Sequence, residues 1–162
     1  MKKFIITGLS IMLLAGCGVT KEKKVKEERQ QEQTVNAQQE SKYSFPEGIT
    51  SVGEGKVKVI TPDGTSENGN VPVVFIKKDT IIQQVEIELA NFQEDKEMFI
   101  YIDKQFEKKY QASEVKQTTI ALKEKTLQPG IHTVTAIQYE NNDPNGKVIN
   151  FAQAKFENKP AQ

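Results

Sequence analysis

The chain has 162 residues, 27% charged and 36% apolar, with 22 basic residues balanced by 22 acidic ones. A near-neutral chain gives no electrostatic case for nucleic-acid binding, and Arg29 alone supplies the planar fork that suits phosphate recognition. One cysteine and one histidine exclude an internal disulfide and a His/Cys zinc cage.

Met1-Lys2-Lys3 forms a short positive start, and Phe4 to Ala15 is a mainly apolar run of twelve residues. A transmembrane helix needs about 20 apolar residues, so this run fits the hydrophobic segment of an export signal, residues 1–16. It ends in Leu14-Ala15-Gly16-Cys17, which resembles the lipobox of bacterial lipoproteins. The resemblance implies cleavage between Gly16 and Cys17 and a diacylglyceryl group on the Cys17 thiol. The covalent lipid is then the only added group, with no cofactor. The implied address is the extracytoplasmic face of the cell membrane, at a Gram-positive surface. Two acyl chains give stable anchoring where one gives only marginal binding. Loss of Lys2 and Lys3 with the signal leaves 20 basic against 22 acidic residues, a net charge of −2.

Residues 17–46 are dominated by Lys, Glu and Gln, with Val25 and Val35 isolated among them. Such a segment buries too little apolar area to offset the entropy of ordering it. A disordered tether is expected, averaging roughly 30 Å end to end as a coil.

From Gly55 onward, short β-like runs alternate with turn residues. The expected strands are Gly55–Thr61, Val71–Lys77, Ile81–Ala90, Met98–Ile102, Gln105–Gln111, Gln117–Leu122, Ile131–Tyr139 and Val148–Glu157. Pro72 marks the second as an edge strand, because proline lacks the N–H a central strand needs. In Ile81–Ala90, Val85, Ile87 and Leu89 face one way and Glu86 and Glu88 the other. Met98–Ile102 is apolar on both faces and reads as central. Asp103-Lys104 reads as a tight turn, and Asn142-Asp-Pro-Asn-Gly146 as another. The sum is an all-β domain over residues 47–158, with a tail at 159–162. Two packed antiparallel sheets of about seven or eight strands are favoured over a small barrel.

Leu127-Gln-Pro-Gly-Ile-His-Thr-Val-Thr-Ala136 resembles the E-to-F corner of fibronectin type III and other immunoglobulin-like domains. There a tyrosine hydroxyl bonds back to the corner backbone. His132 stands in the tyrosine's place, the segment is a residue shorter, and the chain has no Trp. The resemblance implies an immunoglobulin-like β-sandwich and no particular function.

No catalytic set stands out. His132 falls in an expected strand after the corner, where a structural role outweighs a nucleophilic triad, so the domain reads as non-enzymatic. Asp63, Thr65 and Glu67 alternate in one loop, and Asn142, Asp143 and Asn145 occupy another. Oxygen-rich loops suit a hard cation, but neither has the EF-hand pattern and both read as turns, so no metal is assigned. As contacts for a partner, Asp63, Glu67, Asn142, Asp143 and Asn145 are the candidates on loops 61–70 and 141–147. Tyr101, Tyr110 and Tyr139 are a candidate aromatic surface, and an exposed edge strand is another. The expected function is binding of another envelope component, a protein rather than a carbohydrate because stacking Trp residues are absent. The alternative is an accessory subunit of an envelope secretion, conjugation or exclusion system, which predicts exposed apolar area on the isolated domain.

Overall fold

The computed structural model describes residues 43–113 and 116–162. The signal segment, the Gly16–Cys17 junction and the expected tether as far as residue 42 lie outside the described residues. Strands in chain order are β1 (Lys56–Thr61), β2 (Gly64–Thr65), β3 (Val73–Ile76), β4 (Ile82–Ala90) and β5 (Glu97–Ile102). They are followed by β6 (Gln105–Gln111), β7 (Gln117–Lys123), β8 (Gly130–Tyr139) and β9 (Val148–Pro160). Three short 3₁₀ turns interrupt the connections, at Glu67–Gly69, Glu124–Leu127 and Glu140–Asn142.

The strands form two sheets, ordered β2-β1-β4-β7 and β3-β9-β8-β5-β6. This is the sandwich expected rather than the barrel. With β1, β4 and β7 in the places of strands A, B and E, the second sheet supplies G, F, C and C′, the immunoglobulin-like arrangement. Period-2 alternation drives the packing. Val85, Ile87 and Leu89 of β4 meet Met98, Ile100 and Ile102 of β5 and Val134, Ala136 and Phe156 in one buried core. Each fully buried aliphatic side chain contributes about 1.5–3 kcal/mol.

The β5–β6 connection turns at Asp103 and Lys104, both with positive φ (49° and 70°). Positive φ at both central residues is the geometry of a two-residue type I′ hairpin, whose twist matches its strands.

Three features depart from the sequence expectation. Edge strand β3 pairs with β9 in parallel, Val73 opposite Glu157 and Phe75 opposite Lys159, where purely antiparallel sheets were expected. The chain crosses from the first sheet to the second through residues 66–72 and so reaches β9 running the same way. Strand β9 also continues to Pro160, and the Ala161 N–H donates to the Ile76 carbonyl, so the last ladder bonds reach into the expected tail. Finally, the outer face of the five-stranded sheet is covered. Phe99, Tyr101, Ile137, Tyr139, Val148 and Phe151 form a second apolar cluster, against which Tyr43, Phe45 and Ile49 pack. That cover explains why β5 is buried on both faces.

Candidate functional site

The ends of the sandwich differ in what they present. At one end, strands β4, β6 and β8 finish, and loops 91–96 and 140–147 meet. At the other lie the β5–β6 turn, the β3–β4 loop, the β7–β8 corner and the end of β9.

At the first end, buried amides hold the loops. Gln138 exchanges two hydrogen bonds with the Gln93 backbone: its Nε2 donates to the carbonyl at 2.8 Å, and its Oε1 accepts from the N–H at 2.9 Å. Asn150 Nδ2 donates to the same Oε1, while Asn150 Oδ1 accepts from the N–H groups of Glu54 and Gly55, each at 3.1 Å. Gly53, at φ 75°, has no room for a side chain, because a Cβ there would lie 2.0 Å from Asn150 Oδ1. Gly53-Glu-Gly55 is therefore a joint docked against the sandwich.

In the neighbouring loop, Asn142 Oδ1 accepts from the Glu97 N–H at 2.8 Å, and Asp143 accepts from the N–H groups of Asn145 and Gly146. Asn142 and Asp143 thus fix the loop's shape. Asn145 is exposed, as are Glu94, Asp95, Glu140 and Asp143, against an exposed Lys147 and a Lys96 that lies 3.3 Å from Asp95, which leaves these loops net acidic on a rigid frame.

The loop 61–70 lies on the flank, so the structure does not bring the two predicted loops together. Asp63 Oδ2 accepts from the Val73 N–H at 3.1 Å, capping a donor that faces outward on edge strand β3. Glu67 accepts from Thr65 Oγ1 and lies 3.6 Å from Lys58 Nζ. The side chains of Asp63 and Glu67 are thus engaged separately. Among the described residues, no three His, Cys, Asp or Glu side chains converge as metal ligands.

The tyrosines part company. Tyr101 and Tyr139 are fully buried, so they are not the exposed recognition surface proposed from sequence. The cause is the segment before β1. Phe45 meets Tyr101 edge-on with ring centroids 5.3 Å apart, and Tyr43 packs on Phe99 and Phe106 at 5.5 and 4.4 Å. Lys104 clamps this segment from the hairpin, 3.4 Å from the Glu47 carboxylate and 5.6 Å from the Phe45 ring centre. The two buried hydroxyls lie 3.3 Å apart, and burial raises both above the ordinary phenol value. Tyr110 is half-buried on β6, its hydroxyl 3.1 Å from Thr118 Oγ1.

His132 sits at the corner with both ring nitrogens engaged. Nε2 donates to the Gln128 carbonyl, four residues upstream, at 2.8 Å; a carbonyl only accepts, which fixes the proton there. This is the backbone bond that the corner tyrosine makes in the resembling domains. Nδ1 lies 2.6 Å from Asp103 Oδ2, and the ring stacks on Phe156. Asp103 also accepts from the Thr133 N–H and donates its own N–H to the Thr133 carbonyl. The histidine therefore ties the β7–β8 corner to the β5–β6 turn. Sequence inspection missed Glu107, which burial raises above the usual carboxylate range against the lowering effect of Lys123 and Lys108. Among charged residues on β6 it gives no sequence signal.

No family model matches the chain, and no curated protein matches it. Among solved structures, the CARDB domain of a Pyrococcus furiosus protein, crystallised with di-metal ions, is similar at 15% identity and a TM-score of 0.37, covering 71% of this chain and 98% of that one. Its solution structure gives 16% identity and the same TM-score, over 67% and 97%. A lytic polysaccharide monooxygenase from Jonesia denitrificans is similar at 15% identity and a TM-score of 0.31, over 54% and 58%.

Proposed function

We propose that this chain is a lipid-anchored, non-enzymatic binding protein of the cell envelope, held on the extracytoplasmic face of the membrane through Cys17. Its sandwich recognises a protein partner through the end that carries loops 91–96 and 140–147. Support for the anchor is the order of features in residues 1–17: a positive start, a short apolar run, small Ala15 and Gly16, then Cys17. Support for recognition is a single observation. Loops at that end are fixed from within by Gln138, Asn150 and Asn142, leaving Glu94, Asp95, Glu140 and Asp143 exposed on a frame that need not reorganise. A preorganised surface loses little entropy on binding, and its acidic character suits a basic patch on the partner.

Two experiments test this reading. Cys17→Ser is expected to block signal removal and leave the chain without lipid; mass spectrometry that finds the native peptide beginning at Cys17 unmodified refutes the anchor. Pull-down of the mature protein from its own membranes, with and without residues 47–158, is expected to recover a partner only when the domain is present. Glu94→Lys with Glu140→Lys is expected to lower that recovery about tenfold, the size of effect that reversing charges at an interface produces. Equal recovery with the tether alone defeats the domain-binding reading.

A further inference from the structure

The opposite end of the sandwich is apolar and cationic. Among the described residues, the large apolar side chains left most open are Ile81 at 81%, Ile131 at 63%, Phe75 at 54% and Ile82 at 53%. Strand register places all four near this end. Ile82 pairs with Lys123, Ile131 with Glu157, and Phe75 with Lys159. The β3–β4 loop, the β7–β8 corner and the end of β9 meet there around a cavity of about 450 Å³ that includes Lys77, Lys78, Pro129 and Lys159 in its wall. Lys77, Lys78, Lys104, Lys123, Lys125 and Lys159 are exposed here, against exposed Asp79, Asp103 and Glu124 and a half-buried Glu157 that lies 3.0 Å from Lys159.

We infer that this end docks on an anionic lipid surface, with Ile81 and Ile82 entering the interface and the lysines lying at headgroup level. Isoleucines this exposed cost solubility unless something covers them. Ile81 stands on a projecting loop, and Phe75, Ile131 and Ile82 lie on the outer faces of different sheets behind it. A protein partner covering all of them needs a matching concavity, whereas a fluid bilayer conforms to any projecting shape. Lysines flanking an apolar tip are complementary to anionic headgroups. Residues 18–42 can span several tens of ångströms at about 3.4 Å per residue, enough for this end to reach a bilayer holding Cys17. Docked this way, the domain turns loops 91–96 and 140–147 away from the membrane. The contact goes beyond the proposed function and does not require acylation of Cys17.

The test uses residues 18–162, the mature chain less Cys17, made without lipid. The sequence holds no Trp, so Ile81→Trp introduces a single indole. On vesicles of phosphatidylglycerol and phosphatidylcholine its emission is expected to shift to the blue and to be quenched by brominated lipid. Both changes should vanish with phosphatidylcholine alone or in high salt. Ile81→Asp with Ile82→Asp is expected to lower the bound fraction about tenfold. Lys77→Glu with Lys78→Glu, which leaves the apolar packing untouched, is expected to act in the same direction. The inference is overturned if the indole keeps its water-exposed emission on anionic vesicles, or if both double variants bind as the parent does. A blue shift that needs no lipid and grows with protein concentration also overturns it, by assigning the surface to a second copy. If the proposed anchor fails and this holds, native Cys17 carries no lipid while vesicle binding persists; if this fails and the anchor holds, the reverse is seen.

Discussion

His132 engages two oxygens from a buried position, and losing the ring takes its donor away from the Gln128 carbonyl. His132→Ala leaves the Gln128 carbonyl without its donor and opens a void beside Phe156. A loss of about 2–4 kcal/mol is expected, combining the unmet hydrogen bond with the cavity, and urea denaturation at neutral pH measures it. His132→Gln, with one donor in reach, should recover part of that loss. The role was legible because Leu127-Gln-Pro-Gly130 announces a corner, and a polar residue two positions on needs a backbone partner. Asp103 was legible only as a turn residue, since its bond to His132 spans 29 positions. The buried hydroxyls of Tyr101 and Tyr139 make a second residue-scale prediction. Their pKa values are raised in the folded state, whereas the unfolded chain ionises near 10. The folded state therefore keeps protons that the unfolded state releases. Their contribution is intact below about pH 10 and is lost as pH rises further. Alkaline titration at the tyrosine absorbance band should show these two rings ionising only together with unfolding. Tyr101→Phe should weaken that coupling.

Elements whose pattern repeats over short distances were the readable ones. Strand β4 declares itself through Val85, Ile87 and Leu89, and β5 through its unbroken run from Met98 to Ile102. Pro72 correctly assigns β3 to an edge. The parallel sense of the β3–β9 pair was not readable, because it depends on where the chain lands after residues 66–72 rather than on any residue within the strand. The segment from Tyr43 to Val52 was missed for a related reason. Its apolar residues have no strand or helix period, so Tyr43 and Phe45 read as part of the polar tether and Ile49 as a stretch of the domain with no element assigned. Their partners lie on β5, β8 and β9, far along the chain. Phe45→Ala is expected to destabilise by about 2–3 kcal/mol, at the low end for aromatic truncation because the ring is only partly buried. It should also raise binding of a hydrophobic dye by uncovering Tyr101 and Phe151. Gly53→Ala should detach the joint that follows, through a steric clash with Asn150 and a positive φ. Faster exchange of the Glu54, Gly55 and Phe151 amides, which Asn150 and Val52 accept, reports that detachment.

On the scale of the whole molecule, the sandwich separates two surfaces of opposite character. Acidic, internally braced loops occupy one end, and apolar residues among lysines occupy the other. Vesicle binding and partner recovery should therefore respond to separate sets of substitutions. Glu94→Lys with Glu140→Lys is expected to leave vesicle affinity within about twofold, since sites this far apart are nearly independent; measuring both sets of variants in both assays checks that. The covering segment also has a mechanical consequence. Tension pulled through the amino-terminal side arrives at Tyr43 and Phe45 before it meets a ladder of strand hydrogen bonds, and stacked rings detach singly where paired strands resist together. Under load the protein should lengthen in a small first step while both sheets stay intact, making its aromatic cover a shock absorber in series with the fold.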